Sequence, residues 1–270
     1  MEELFEAVVA GTGRAVEAGA TVTASSVPTV DAATMAQVDR LAVEEYGITL
    51  LQMMEQAGSH LAEVVRLELG GDLQDRSIVV AVGAGNNGGG GLVAARHLVN
   101  RGASVRVVLA RPVLRMTEAG RHQLATLIAM GASCCVATYD LTDQELEDAL
   151  ARADLVVDAL VGYNIQGAPR GEVERLVGFI VRSRRPVVSL DVPTGVDPDT
   201  GEAAGIAITA SATMTLALPK AGLIAGEGAA RAGRLYLADI GLPAALYAQL
   251  GFEIGLLFAA GPIVNLDLSR

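Results

Sequence analysis

The stretch Ser77-Ile78-Val79-Val80-Ala81-Val82 followed by Gly83-Ala84-Gly85-Asn86-Asn87-Gly88-Gly89-Gly90-Gly91 decides the fold class. A short apolar run that stops at glycine reads as a strand buried on both faces. Glycine lets the chain turn sharply and lets backbone approach a ligand, and amides opening the next helix point at an anion. Gly83, Gly85 and Gly88 match the dinucleotide spacing GxGxxG in its strand-loop-helix setting, a weak signal by itself. Its usual acidic partner belongs near residue 110. Arg111 stands there instead, which suits a 2′-phosphate or no ligand at all.

Outward from that loop, apolar strands alternate with helical segments. Helices are predicted over 92–100, 118–130, 142–152 and 171–182. Strands are predicted over 104–110, 133–138, 154–160, 186–190, 210–216 and 233–237. Upstream, Asp31 or Thr34 caps a helix, Gly47 ends it, and Thr49 opens a second that runs to about Leu69. The alternation predicts right-handed βαβ units, hence an α/β chain: a three-layer αβα sandwich on a mostly parallel central sheet. Residues 1–30 read as an N-terminal arm, with a short helix to about Glu17 and a linker over 18–27. Residues 31–270 read as one domain whose tail, from Pro243, is a helix, a dimer contact or loosely ordered.

Composition narrows the function. Hydrophobic residues are 51% of the 270 and aromatics 3%, so small aliphatic side chains must fill the core. A net charge of −11 argues against a broad nucleic-acid or anionic-membrane surface, so any anionic ligand must be held locally. No apolar run is long enough to span a membrane, and no basic leader precedes an apolar stretch. The two cysteines, Cys134 and Cys135, are adjacent and read as buried strand residues in a reducing cytoplasm. His60, His97 and His122 sit singly, without ligand spacing. Lys220, the chain's one lysine, reads equally as a phosphate or loop contact and as a surface residue.

In a parallel sheet, ligands bind where strands end. Asp158 closes one apolar strand and is costly there unless paired or bound to a cation. Asp191 closes another and leads into Val192-Pro193-Thr194-Gly195. Asn87, Asp158, Asp191 and Thr194 can therefore converge at one edge. Their oxygens suit a hard cation, with a carboxylate left for general acid or base work.

These loops carry a resemblance. Ordered along the chain are Met35-Ala36-Gln37-Val38-Asp39-Arg40, Leu51-Gln52-Met53-Met54-Glu55-Gln56-Ala57-Gly58 and Gly85-Asn86-Asn87-Gly88-Gly89 with Leu92-Val93-Ala94-Ala95-Arg96. Val157-Asp158-Ala159-Leu160, Leu190-Asp191-Val192-Pro193-Thr194-Gly195-Val196-Asp197 and Ala217-Leu218-Pro219-Lys220-Ala221-Gly222-Leu223 follow. Together they resemble the YjeF N-terminal domain family, from about Thr34 to Pro243. The resemblance implies a Rossmann-like sandwich, often a homodimer. It also implies an isomerase, an NAD(P)H-hydrate epimerase that interconverts the R and S epimers of C6-hydrated NADH and NADPH for cofactor repair.

By position, the resemblance gives substrate contact to Asn86, Asn87, Gly88, Gly89 and Gly90, and to Gly162, Tyr163, Asn164, Ile165, Gln166, Gly167 and Ala168. Asn87, Asp158 and Thr194 would hold a potassium ion. Asp191 would touch the hydrated ring as the catalytic residue. The protein would work beside a separate dehydratase, since the dehydratase domain fused to many relatives is not in this sequence. The family usually has Asp where this chain has Gly90, Asn at Gln56 and Ser at Thr194. Gly90 keeps a second reading open, a catalytically diverged module that binds a nucleotide-like ligand or a protein partner. An NADP-dependent oxidoreductase is a third, weakened by the want of a hydride-transfer arrangement.

Overall fold

The computed structural model describes residues 20–164 and 167–269, so the helix expected before Glu17 lies outside the described residues. The strands are β1 (Thr21–Thr23), β2 (Ser77–Val82), β3 (Ser104–Leu109), β4 (Ser133–Val136), β5 (Leu155–Ala159), β6 (Val187–Leu190), β7 (Ala212–Leu216), β8 (Arg234–Ala238) and β9 (Ile263–Asp267). The helices are α1 (Ala32–Glu44), α2 (Leu50–Glu68), α3 (Asn86–Asn100), α4 (Glu118–Ala129), α5 (Ala137–Asp140), α6 (Asp143–Arg152), α7 (Glu172–Ser183), α8 (Gly226–Ala232) and α9 (Ala244–Gln249).

One sheet runs in the order β1-β9-β8-β7-β6-β5-β2-β3-β4, parallel throughout except for the β8–β9 pair. The chain moves outward from β2 through β3 to β4, then returns to lay β5 on the other side of β2. The loops after β2 and β5 therefore diverge from a topological switch point, where open α/β sheets leave a crevice.

Strand parity sorts the core into layers. Ile78, Val80, Val82, Val107 and Val157 face the helices α2, α3 and α4, while Val79, Ala81, Val108 and Val156 face α6 and α7. A third cluster, with Met35, Val38, Leu235, Leu246 and Val264, closes the β7–β9 end against α1 and α9. The expected αβα sandwich is the observed one. Among the described residues no helix is long and apolar enough to cross a membrane.

The helix starts follow side-chain chemistry. Asp31 Oδ1 accepts the Thr34 amide at 2.7 Å, and Thr49 with Gln52 forms a reciprocal capping box. Each such cap contributes about 1 kcal/mol.

Four expectations need correction. Residues 86–91 are not loop but the first turns of α3, although glycine costs about 1 kcal/mol per position in a helix. Packing overrides propensity, because Gly88, Gly89, Gly90 and Gly91 are all buried. A Cβ built on Gly88 would stand 2.1 Å from the Gly83 carbonyl oxygen, and one on Gly83 would stand 1.8 Å from that of Leu160. The tail is not loose either: after α9 it adds β9, parallel to β1 and antiparallel to β8. Residues 21–23, expected as linker, are strand for the same reason, since β9 offers them a free edge. Finally, Cys134 and Cys135 are only partly buried, because β4 is the outermost strand.

The tightness of the β2–α3 junction yields a stability prediction. Gly88→Ala should lower unfolding free energy by about 1–3 kcal/mol, because the added methyl meets backbone that cannot rotate away. Urea denaturation of the two proteins measures it, with the midpoint falling and the slope unchanged.

Candidate functional site

A cavity of about 520 Å³ opens over the switch point. Its walls come from the loop after β2 with the start of α3, the loop after β5, the ends of β6 and β7, and side chains of α1 and α2.

Two adjacent strands end abnormally there. After β6, Asp191 has φ +70°, and the amide of Val192 donates to the carbonyl of Leu190 at 2.9 Å. After β7, Ala217 has φ +64°, and the amide of Leu218 donates to the carbonyl of Leu216 at 2.7 Å. Both are tight three-residue turns with a non-glycine residue in the left-handed region, a conformation that costs of order 1–3 kcal/mol. The surroundings hold them in place: the Asp191 amide donates to Met214 and the Ala217 amide to Ala238.

The turns bring opposite charges together. Lys220 Nζ donates to Asp191 Oδ1 at 2.5 Å and to the Leu216 carbonyl at 2.9 Å. Lys220 is 0% exposed and Asp191 3%. The only lysine is therefore no surface residue but the counter-charge to the expected catalytic aspartate. Breaking such a buried pair from one side costs about 3–5 kcal/mol, since the remaining charge has no partner. Its loop is clamped by a two-way backbone bridge to Val30, through Val30 to Pro219 and Ala221 to Val30.

Asp191 Oδ2 accepts the Tyr163 amide at 2.9 Å, so the residue ties the loop after β5 to the site. Tyr163 is fixed at its other end as well, its hydroxyl donating to Asp39 Oδ2 at 2.6 Å. The Lys220 ammonium lies 5.7 Å from the centre of the tyrosine ring. Burial pushes the Asp39 carboxyl above the ordinary range, against the pull of Tyr163 and Lys220. Burial also raises the Tyr163 phenol, and the Asp39 charge adds to it. The phenol thus remains a donor to the carboxylate.

Below this floor lies a second buried acid. Asp158, 0% exposed, accepts Thr194 Oγ1 at 2.7 Å, the Thr194 amide at 2.9 Å, Ser189 Oγ at 2.9 Å and the Leu160 amide at 3.3 Å. Ser189 is its register partner on β6. The Val161 amide donates in turn to Thr194 Oγ1 at 3.2 Å. Desolvation raises the Asp158 carboxyl, and the hydrogen bonds from Thr194 and Ser189 only partly offset it. Among the described residues no basic side chain pairs with Asp158, whose charge is compensated by neutral donors alone.

The expected site residues are distributed in three ways. Asn86, Asn87, Gly90, Gly162, Tyr163, Asn164 and Asp191 line the cavity. A Cβ on Gly162 would stand 3.0 Å from Asp191 Oδ2 and 3.2 Å from Asn87 Oδ1, so the asparagine and the aspartate flank that glycine. Asn87 Nδ2 donates to the Leu190 carbonyl at 3.3 Å. Gly88 and Gly89 are buried behind the wall, Asp158 and Thr194 beneath the floor, and Gly167 and Ala168 beyond the rim. Ile165 and Gln166 lie outside the described residues.

Several wall residues had no sequence-level assignment. Asp39 belongs to a helix that periodicity explains by packing, and only its position opposite Tyr163 gives it a role. Met53 and Met54 are buried and also line the cavity. His97 bonds Glu55 at 2.9 Å on the surface of α2 and α3, as its isolated spacing suggested.

Comparison with known proteins agrees with this architecture. The family model described as YjeF-related protein N-terminus matches residues 50–222. A bifunctional NAD(P)H-hydrate repair enzyme of Moorella thermoacetica is 43% identical over 232 residues, covering 86% of this chain and 44% of that protein. An NAD(P)H-hydrate epimerase of Dehalogenimonas lykanthroporepellens is 38% identical over 237 residues, covering 87% of this chain and 91% of its own length. The chain thus spans less than half the length of the bifunctional relative. Among solved structures, the yeast protein ynu0 superposes with a TM-score of 0.76 at 26% identity, over 89% of this chain and 100% of that one. The family-model match over residues 50–222 and the 38% identical relative covered over 91% of its length place the chain in the family of YjeF-related protein N-terminal domains.

Proposed function

We propose that the protein is an NAD(P)H-hydrate epimerase, interconverting the R and S epimers of C6-hydrated NADH and NADPH. The observation that carries the reading is the Asp191–Lys220 pair at the floor of a cavity walled by glycine backbone and the start of α3. The names of the relatives from Dehalogenimonas and Moorella point to the same chemistry.

In this reading Asp191 moves a proton at the C6 hydroxyl. A proton of the Lys220 ammonium passes through Asp191 to the C6 hydroxyl, which leaves as water while the ring nitrogen supplies electrons to C6. Water then adds to C6 from the opposite face and gives up a proton through Asp191 to Lys220, which restores the ion pair, so atoms and charge balance. Lys220 holds the Asp191 carboxylate at Oδ1 and the Tyr163 amide holds it at Oδ2, which fixes the plane in which the proton is exchanged. Tyr163, anchored by Asp39, keeps its ring beside this pair and restricts water there.

A potassium ion belongs to the same proposal. The chemistry of the residues fits it: the Asn87 carboxamide, the Thr194 hydroxyl and the Asp158 carboxylate each carry an oxygen that suits a hard cation, and Asp158 is buried without a basic partner among the described residues. When bound, the ion supplies a fixed positive charge behind the cavity. Thr194 Oγ1, which donates to Asp158, would be one of the oxygens that hold it. We further place the protein in the cytoplasm as a homodimer, its product passing to a separate dehydratase, a division of labour that the word bifunctional in the relatives' names supports.

Gly90 favours one other reading, a module that binds its ligand without turnover. Gly90 lines the cavity, so no carboxylate projects there, and a Cβ at that position would meet Leu190 Cδ2 at 2.9 Å. Tight dinucleotide binding with no epimerisation above the uncatalysed rate would establish it.

Two outcomes test the epimerase. With the R epimer of hydrated NADPH and an S-specific dehydratase, Asp191→Asn should slow turnover by about a hundredfold or more. Full activity in that variant would remove Asp191 from the reaction. The second concerns potassium. Because the Asp158 carboxyl is raised in the fold, the folded chain binds its proton more tightly than the unfolded chain. Its contribution to stability is thus present at low pH and lost as pH rises through the folded value. If potassium is held by Asn87, Asp158 and Thr194, replacing choline chloride with potassium chloride should raise Tm in the wild type and not in Asp158→Asn. An equal rise in both proteins would show a general salt effect instead.

A further inference from the structure

We propose that Arg111 reads the 2′-phosphate of the dinucleotide, so that the site prefers hydrated NADPH to hydrated NADH. The inference rests on the epimerase reading for the identity of the ring, but on Arg111 and the sheet order for the phosphate.

The sheet order lays the cavity out as a line. Asp191 and Lys220 stand at the ends of β6 and β7, Gly162 and Tyr163 follow β5, Gly85 to Asn87 follow β2, and Arg111 follows β3. All of these residues line one continuous cavity. From β6 to β3 there are three strand spacings, roughly 14 Å. That is the scale on which two nucleoside halves joined by a pyrophosphate stand apart. With the hydrated ring on Asp191, the pyrophosphate meets the amides at the start of α3 and the adenosine ribose falls at β3. In a βαβ unit of this kind, an acid after the second strand takes a 2′-hydroxyl, whereas arginine accommodates a 2′-phosphate.

The segment is held where this requires. The Ala110 amide donates to Val82 at 2.8 Å, and the Thr117 amide donates to Ala84 at 3.0 Å. Both ends of the Arg111-containing loop are therefore tied to the glycine-rich turn. Thr117 lines the same end of the cavity.

Charge singles out the ligand. Among the described residues, the two cations that line the cavity are Lys220 and Arg111. Lys220 is spent on Asp191. Arg111 is exposed and makes no ion pair among the described residues. The acids lining the cavity, Asp39 and Asp191, belong to its other end and are bonded to Tyr163 and Lys220. In a chain of net charge −11, an arginine left without a carboxylate at a pocket wall is a local anion site. The guanidinium fork matches a phosphate in two parallel hydrogen bonds, which a ribose hydroxyl cannot reproduce.

Equilibrium binding of NADP+ and NAD+ tests this without requiring turnover, using the wild type, Arg111→Ala and Arg111→Lys. The wild type should favour NADP+ by about tenfold or more. That ratio should collapse towards one in Arg111→Ala, and Arg111→Lys should restore part of it. Equal affinities in the wild type would overturn the proposal. So would a preference that survives in Arg111→Ala, affinities that fall by the same factor for both ligands, or failure of the wild type to bind either. If the ratio behaves as expected while hydrated NADPH is not epimerised, Arg111 keeps its role and the assigned reaction is the part that fails.

Discussion

The buried ion pair between Lys220 and Asp191 is the constraint around which the rest of the site is arranged. Neither charge can be buried alone at a tolerable cost, so the loops after β6 and β7 must present them to each other. That requirement explains two otherwise unfavourable backbone conformations, at Asp191 and Ala217, at corresponding ends of neighbouring strands. It also explains why the segment before α1 is part of the structure and not an appendage, since Val30 bridges the backbone on both sides of Lys220. Tyr163 then extends the pair outward to Asp39, joining α1 to the opposite wall.

A second constraint is distance. The loop after β2 must pass close to the loop after β5, and α3 must start directly on top of it. Only residues without a side chain permit both. Gly83 and Gly88 serve this approach, which also leaves amides bare at the cavity wall. Poor intrinsic helix formers thus begin one of the best buried helices, and the helix is stabilised by what surrounds it.

The layers were legible in the sequence because they follow from periodicity. Apolar runs bounded by glycine gave β2, β3 and β5 to within a residue or two, and Asp31 and Thr49 marked their helices by capping chemistry. The convergence of Asn87 and Asp191 was legible from the rule that parallel strands end at one edge. What was not legible depends on tertiary partners. Residues 86–91 look like loop until the sheet that buries them is present. The strand at 263–267 lies against β8 on one side, and its other partner is a segment more than 240 positions away. Asp39 and Lys220 stand in the quoted motifs, but nothing local to either shows the tertiary partner that gives it a task.

The central claim is that this floor lets the C6 hydroxyl leave and water return on the other face. The most direct measurement is oxygen exchange: the R epimer of hydrated NADPH is incubated with the protein in 18O-labelled water, and label at C6 is followed alongside epimer composition. The account predicts that label enters C6 in step with appearance of the S epimer, both faster than in protein-free solution. Epimers that interconvert without taking up label, or a rate no greater than that without protein, would contradict it.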